Sequence, residues 1–207
     1  MNRFLKLLLL LFSSIIIISA AWYYKKLKPA ASPAVAAKPV SQSLTQHAKK
    51  AKAYANQKGY NTSVCFLIDM RVASGTNRFY VYNLKTDSID AAALVTHGRC
   101  NKNWLQGRQY GNKVGCGCTS LGRYKIGAAY QGRFGLAYKL HGLDSSNSNA
   151  FKRYVVLHSH SCVPAQEVDP YPICQSDGCP TVAPGFLKTL AKIIDASQQP
   201  ILLWIYE

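Results

Sequence analysis

From residue 63 onward the sequence is divided into short apolar segments, rich in β-branched and aromatic residues, that alternate with turn-rich pieces. Segments of this length and composition are typical of β-strands and limit the chain to a mainly β fold. The first three follow one another directly and predict a meander, whereas residues 98–120, with their glycines and cysteines, predict a loop. The predicted strands cover residues 64–70, 78–84, 91–97, 122–127, 137–141, 154–160 and 201–206.

Two amphipathic segments accompany the predicted strands. Ser41 or Ser43 can cap a helix that runs to about residue 58, and Gly59 is suited to end it. The apolar face of this helix is formed by Leu44, Ala48, Ala51 and Ala55. Pro184 begins a second helix to about residue 196, whose apolar face is formed by Phe186, Leu187, Leu190, Ile193 and Ile194. We therefore predict an α+β domain, mainly β, in which a β-sandwich of two packed sheets has two flanking helices.

The N-terminal residues 1–28 contain an apolar stretch with basic residues on both sides. Crossing a bilayer takes about 17–25 apolar residues, and this stretch is close to the lower limit. Either the segment is a signal peptide with Ser-Ala-Ala as its cleavage site, or it is an uncleaved inner-membrane anchor. Both interpretations predict export. Residues 29–40, rich in alanine and proline, predict a linker, which leaves residues 41–207 as the folded domain.

The chain is strongly basic, with a formal net charge of +16 at pH 7. This charge suits a polyanionic partner, such as a membrane surface or an anionic wall polymer, although basic residues also serve solubility alone. The sequence contains no nucleic-acid-reading motif, so we expect no nucleic-acid partner. We expect a monomer that contacts the inner membrane through its N-terminal segment and needs neither a cofactor nor a metal.

The chain has seven cysteines, so at least one of them cannot belong to an internal disulfide. In an oxidising compartment the others are free to pair. Cys162 and Cys174 bracket a proline-containing loop, and a disulfide between them would stabilise the fold by about 3 kcal/mol in the chain-entropy model. The alternative is that one of these two cysteines pairs with Cys179.

Three further cysteines lie in the loop predicted over residues 98–120. Cys116 and Cys118 are too close to bond each other comfortably, but either could reach Cys100. Cys65 lies in an apolar predicted strand and is interpreted as a buried free thiol. Spacing alone does not decide how these cysteines pair.

Cys179 has the neighbours that a nucleophile loop requires. Pro180 biases Cys179 toward an extended or turn conformation, and Gly178 allows a substrate carbonyl to approach the backbone closely. Because Pro180 has no N–H, an oxyanion hole here must use Gly178, Cys179 or a neighbouring strand. Ser176 has a hydroxyl that can orient the loop. The carboxylate of Asp177 would raise the pKa of the thiol unless it points away.

The strand predicted over residues 154–160 supplies a base. Side chains alternate along a strand, so His158 and His160 emerge on one face near its end. An imidazolium at His158 would lower the pKa of a nearby thiol. A zinc hydrolase is a second hypothesis, with His158, His160 and either a cysteine or His141 as ligands. A third is a non-catalytic, membrane-tethered cell-wall-binding module, which the basic charge and the linker would also serve.

The segments VVLHSH and SDGCPTV together resemble the active-site signature of murein L,D-transpeptidases. The closer resemblance is to the murein L,D-transpeptidase catalytic domain-like branch, whose cysteine motif reads Gly-Cys-Pro. The similarity extends over about residues 63–185. It implies an L,D-transpeptidase-like β-sandwich and a periplasmic enzyme that acts on peptidoglycan stem peptides.

The resemblance also implies roles for individual residues. Cys179 matches the nucleophile, which attacks the carbonyl of the L-centre of a tetrapeptide, releases D-alanine and passes the thioester to an amine or to water. His158 matches the base, and the carbonyl of Ser159 would orient its ring. His160 and Arg153 are candidates for substrate contact, together with Ser176 and Gly178 in the nucleophile loop; Arg153 could bind a carboxylate or lie at the surface.

The sequence departs from the family pattern at three places. Asp177 precedes the Gly-Cys pair where many members have histidine. Pro180 and Thr181 follow the cysteine where many members have arginine or asparagine, although the Gly-Cys-Pro branch shares the proline. The loop between the predicted base and nucleophile is slightly long and holds two extra cysteines. Acyl transfer and hydrolysis therefore both stay open.

Overall fold

The structure, a computed structural model, describes residues 41–102 and 108–207. Helix α1, Gln42–Lys58, begins where the Ser41 hydroxyl accepts the N–H of Leu44 at 3.2 Å. It ends at Gly59, whose φ of 72° is left-handed. The predicted first helix is confirmed, with Ser41 as its cap. Its buried residues are the four of the predicted apolar face.

Eight strands are hydrogen-bonded in the order β3-β2-β1-β8-β4-β5-β6-β7. The pairs β1–β8 and β6–β7 are parallel, and the other neighbouring pairs are antiparallel. A 3₁₀ turn, Ser145–Asn147, follows β5, and helix α2, Pro184–Asp195, lies between the last two strands. The strands are β1 Val64–Asp69, β2 Phe79–Asn83, β3 Ser88–Ala93, β4 Gly122–Gly132, β5 Gly135–Gly142, β6 Val156–Ser159, β7 Thr181–Val182 and β8 Leu202–Tyr206.

The predicted meander is confirmed in β1, β2 and β3, but β3 begins within the piece predicted as a turn. The sequence prediction was wrong about the length of β4 and β5, which continue to Gly132 and from Gly135 and so form a long hairpin. It also missed β7, because a strand of two residues leaves no periodic pattern.

One face of the sheet surrounds a single core, to which seven strands and α2 contribute. An isolated antiparallel bridge between Val95, which follows β3, and Val182 in β7 joins the two ends of the sheet. The α+β fold class is confirmed, and the two expected layers are halves of one curved sheet. The core includes Phe66, Ile68, Phe79, Val81, Tyr124, Ile126, Tyr138, Leu140, Leu157, Val182, Leu187, Leu190, Leu203 and Ile205.

The structure decides cysteine pairings that the sequence left open. Cys162 and Cys174 are bonded to each other, so neither pairs with Cys179. Of the two partners left open for Cys100, the structure has Cys118. A third prediction, the buried free thiol of Cys65, is also confirmed.

The predicted export segment and linker, residues 1–40, lie outside the described residues. Among the residues that the structure does describe, no helix has the length and apolar character needed to cross a bilayer.

Candidate active site

The thiol of Cys179 is free and partly exposed, immediately before β7. Its Sγ lies 3.9 Å from the carbonyl oxygen of Tyr154, which accepts its hydrogen. Burial raises the pKa of the Cys179 thiol, with a smaller contribution from Asp177, against the lowering effects of the Val156 N–H and the Arg153 guanidinium. At neutral pH the resting thiol is therefore protonated and needs a base.

The side chain of Asp177 forms an ion pair with Arg99, with 2.8 Å between Oδ1 and Nε. Both side chains are more than half exposed, so the pair itself adds little stability. The carboxylate is nevertheless engaged by a cation, and among the four influences on the pKa of the Cys179 thiol its effect is the smallest.

Three hydroxyl groups converge on the carbonyl oxygen of Cys179. Ser176 donates to it at 2.6 Å and Thr96 at 3.1 Å, and Oγ1 of Thr181 lies 3.4 Å from it. The same Ser176 oxygen accepts the N–H of Gly178 at 3.2 Å. Of the two local donors predicted for an oxyanion hole, the N–H of Gly178 thus has a protein partner. The N–H of Cys179 makes no hydrogen bond with the described residues.

His158 lies in β6 beside Thr181 of β7 and is only 8% exposed. Its Nδ1 lies 3.1 Å from the carbonyl oxygen of Ser159, and its Nε2 lies 3.0 Å from Oγ1 of Thr181. A carbonyl only accepts, so Nδ1 carries the hydrogen, and Nε2 accepts from the threonine hydroxyl. Burial lowers the pKa of His158, helped by His160 and opposed by the bond to Ser159. The ring is therefore neutral at pH 7.

The ring of Phe134, in the turn between β4 and β5, contacts both histidines. It stacks on His158 with 5.2 Å between centroids and meets His160 edge-on at the same distance. Because one ring touches both, the two histidines lie on one side of the strand, as the alternation predicts. Nδ1 of His160 accepts the N–H of Cys162 at 3.1 Å, so that nitrogen is already engaged.

Cys179 and His158 line the same cleft, which has a volume of about 190 Å³. Tyr154, at its rim, is 85% exposed and has a φ of 58°, which is unusual for a residue other than glycine. The cleft therefore brings a thiol and a neutral imidazole together in one depression of the surface. Its other lining residues are Tyr130, Gly132, Arg133, Phe134, Gly135, Ala137 and Val156.

The guanidinium of Arg153 is engaged by the protein. Nη1 donates to the carbonyl oxygen of Gly111 at 2.9 Å and to the hydroxyl of Ser120, and Nη2 donates to the carbonyl oxygen of Cys118. Gly178 packs against the same carbonyl: a Cβ there would lie 2.5 Å from the oxygen, and its φ is 107°. Arg153 thus ties the loop that holds Cys118 to the nucleophile loop.

The zinc hypothesis required three convergent ligands. His141 stacks on Phe151 at 4.8 Å, and both ring nitrogens of His158 have protein partners. In residues 41–102 and 108–207 no three histidine, cysteine or acidic side chains are grouped so as to hold a metal ion. The ligand set that this hypothesis named is therefore not brought together.

Three residues of the site were missed by sequence reasoning. Thr181 could have been found, because it follows Cys179 by two positions and shares its side of the strand. Thr96 and Phe134 carried no signal, because they reach the site only through the closure of the sheet and the long β4–β5 hairpin.

The sequence profile of the L,D-transpeptidase catalytic domain matches residues 36–206. The chain therefore belongs to the L,D-transpeptidase catalytic domain family. No curated protein sequence matches it.

The solved structures that match this chain share little sequence with it. The helical cell shape determining protein Pgp2 from Campylobacter jejuni is 11% identical, with a TM-score of 0.47 over 70% of this chain and 48% of its own. The L,D-transpeptidase from Xylanimonas cellulosilytica is 15% identical, with a TM-score of 0.40 over 74% and 68%. An L,D-transpeptidase from Mycobacterium smegmatis is 14% identical, with a TM-score of 0.40 over 70% and 59%. The chain thus spans about half the length of Pgp2.

Proposed function

We propose that the protein is an exported cysteine enzyme that acts on peptidoglycan stem peptides, as an L,D-transpeptidase or an L,D-carboxypeptidase. Family membership supports the substrate class. The observation that carries the proposal is that Cys179, a free thiol, shares a cleft with His158, a neutral imidazole. The ring is oriented by the carbonyl of Ser159, at 3.1 Å from Nδ1.

In this mechanism the hydrogen bond from the Thr181 hydroxyl to Nε2 of His158 opens as substrate binds, and Nε2 takes the proton of the Cys179 thiol. The thiolate attacks the carbonyl carbon of the L-centre, and the N–H of Cys179 donates to the oxygen that becomes negative. The imidazolium then gives its proton to the amine of the leaving D-alanine. An amine or water attacks the thioester, which completes either transfer or hydrolysis.

Ser176 and Gly178 serve this chemistry indirectly. The Ser176 hydroxyl bridges the Gly178 N–H and the Cys179 carbonyl, at 3.2 Å and 2.6 Å, and so holds the peptide planes on both sides of the nucleophile. His160, beside Phe134 at the cleft, is placed for substrate contact. For Arg153 we favour support of the nucleophile loop over capture of a carboxylate, because three protein oxygens already accept from it.

The remaining assignments follow from the substrate. Peptidoglycan lies outside the inner membrane, so the domain over residues 41–207 would work in the periplasm. Residues 1–28 would export it, as a signal peptide or an anchor, and residues 29–40 would link it. The net charge of +16 suits the anionic envelope. The mechanism uses no cofactor or metal, and a monomer stays a prediction.

The test is incubation of the full-length protein with tetrapeptide muropeptides, followed by mass spectrometry of both products and enzyme. We expect loss of D-alanine and an acyl adduct on Cys179. Cys179→Ala should abolish both, whereas Cys116→Ser, which removes a thiol outside the cleft, should retain both. Equal turnover by Cys179→Ala and the wild type would overturn the mechanism. Tight wall binding without turnover by the wild type would favour the non-catalytic module instead.

A further inference from the structure

A free thiol lies beside a disulfide in the loop before β4. Cys118 is bonded to Cys100, whereas Cys116, two positions earlier, is free and partly exposed. The backbone N–H of Cys118 donates to Sγ of Cys116 at 3.4 Å. A thiol next to a disulfide is the arrangement from which thiol–disulfide exchange proceeds, because the thiolate attacks a disulfide sulfur directly.

The Cys-Gly-Cys segment places both of its sulfurs against Gly111. Gly117, between Cys116 and Cys118, has a φ of 63°, a backbone conformation that residues other than glycine rarely adopt. Across from the segment, a Cβ placed on Gly111 would lie 3.4 Å from Sγ of Cys118 and 3.5 Å from Sγ of Cys116. Both sulfurs therefore face the same glycine.

We propose that Cys100, Cys116 and Cys118 form a thiol–disulfide exchange centre, separate from the Cys179 cleft. The Cys116 thiol loses its proton to water, and the thiolate attacks Sγ of Cys100. The Cys100–Cys116 bond forms as the Cys100–Cys118 bond breaks, and Cys118 leaves as a thiolate that takes up a proton. No electrons are gained or lost, so the step needs no external oxidant. The two alternative loops differ by only two residues, so chain entropy hardly distinguishes them.

The other two free cysteines are unsuited to this exchange. Cys65 is fully buried in the core beneath α1, where burial raises the pKa of its thiol to about 12. Cys179 lies in the cleft with His158, and its Sγ faces the carbonyl of Tyr154. Cys116, in contrast, lies beside a disulfide and is partly exposed to solvent.

The exchange would reach the nucleophile loop through the backbone of Cys118. Its carbonyl oxygen accepts from Arg153 and contacts Gly178, the residue before Cys179. When Cys118 is bonded to Cys100, the disulfide and the contacts with Arg153 and Gly178 together hold the Cys118 carbonyl in place. When the disulfide to Cys118 opens, only the contacts with Arg153 and Gly178 hold this carbonyl. This consequence for Cys179 rests on the proposed function, whereas the exchange itself does not.

Disulfide mapping of the full-length protein tests the exchange without any assay of turnover. The protein is equilibrated in glutathione buffers, quenched with acid, labelled with N-ethylmaleimide and digested with trypsin. Cys116 and Cys118 lie in one tryptic peptide, residues 114–123, so fragmentation must locate the label within it. We expect two disulfide-linked species, one with Cys100 bonded to Cys118 and label on Cys116, the other with Cys100 bonded to Cys116 and label on Cys118, with equilibrium reached faster as the pH rises. Absence of the Cys100–Cys116 species at every glutathione ratio would overturn the proposal.

Two variants isolate the two pairings. Cys116→Ser should leave only the Cys100–Cys118 bond, and Cys118→Ser should form the Cys100–Cys116 bond in its place. Modification of Cys179 by iodoacetamide should be roughly tenfold slower or more in Cys118→Ser, because small displacements of a reacting group cost that much. If Cys179 is unreactive in Cys116→Ser and not only in Cys118→Ser, the result counts against the proposed function. The proposal of thiol–disulfide exchange is not affected by that result. Failure of a folded Cys118→Ser variant to form any bond to Cys100 would refute the exchange, and the wild-type mapping tests the exchange independently if that variant does not fold.

Discussion

Nε2 of His158 lies 3.0 Å from Oγ1 of Thr181, across the parallel pair β6–β7. The same hydroxyl lies 3.4 Å from the carbonyl oxygen of Cys179. It can therefore donate to the neutral ring and, after the ring is protonated, accept from the ring and donate to the carbonyl. Thr181 would hold one ring orientation through both protonation states, without movement of any heavy atom.

Thr181→Val should slow the modification of Cys179 by about tenfold, the effect of losing one hydrogen bond to a charged ring, about 1.5 kcal/mol. The imidazolium loses an acceptor, so the pKa of His158 should fall further below its usual value. Thr181→Ser keeps the hydroxyl and should restore both the rate and the pKa. The rate is measured with iodoacetamide at Cys179, and the pKa by NMR titration of the ring. A Thr181→Ser variant as slow as Thr181→Val would indicate that the methyl group matters instead.

The pH dependence of Cys179 reactivity should depend on His158. Burial lowers the pKa of His158 from 6.5, so the ring is a neutral base down to a lower pH than a free histidine. Burial raises the pKa of Cys179 from 9.0, so without a base the thiolate forms only in more alkaline solution. We expect the wild type to react near neutral pH and to lose reactivity only below pH 6.5.

The matched variant is His158→Asn, in which reactivity of Cys179 should appear only above pH 9.0. Iodoacetamide labelling is followed at Cys179 by mass spectrometry, because Cys116 is also accessible. Superimposable profiles for the wild type and the variant would show that His158 does not act on the thiol.

Phe134→Ala should raise the pKa of His158 toward 6.5. The phenyl ring stacks on the imidazole at an interplanar angle of 15°, and its removal admits water to a ring whose pKa is lowered chiefly by burial. Phe134→Tyr keeps the stacked ring and should leave the pKa unchanged. Titration of the His158 resonance checks both variants, and an unchanged pKa in Phe134→Ala would mean that other groups keep the ring dry.

Cys179 and His158 could be predicted from the sequence because each belongs to a local pattern: a Gly-Cys-Pro turn and a β-branched strand that ends in histidine. Thr96 and Phe134 could not. They lie far from Cys179 in the sequence and meet the site only because the sheet curves until Val95 pairs with Val182. Long-range contacts of this kind are properties of the closed sheet and leave no periodicity in the chain.

The cysteine pairings could be narrowed from the sequence but not decided. Cys162 and Cys174 bracket one short loop, which favours a bond between them, although pairing of either with Cys179 stayed open. For Cys100 both Cys116 and Cys118 were within reach along the chain, and the structure has Cys118.

His97 should make folding stability depend on pH. Its Nδ1 accepts from the fully buried Arg78 at 3.0 Å, and its Nε2 faces the amide of Gln175 at 3.1 Å. Burial first, then the charges of Arg78 and Arg108, lower the pKa of His97 from 6.5 to about 4. The unfolded chain therefore binds a proton at a higher pH than the native protein does. The stabilisation is complete above pH 6.5 and is lost as the pH falls toward 4.

Urea unfolding at two pH values measures this effect. Between pH 7 and pH 5 the free energy of unfolding should fall by about 2 kcal/mol through His97 alone. In His97→Asn, whose amide oxygen can still accept from Arg78, that part of the pH dependence should disappear while the stability at pH 5 changes less than at pH 7. The backbone N–H of Ser176 donates to the carbonyl of His97 at 3.0 Å, so the nucleophile loop should loosen only when His97 of the folded protein gains a proton, near pH 4. Equal slopes for the two proteins would assign the acid sensitivity to other groups.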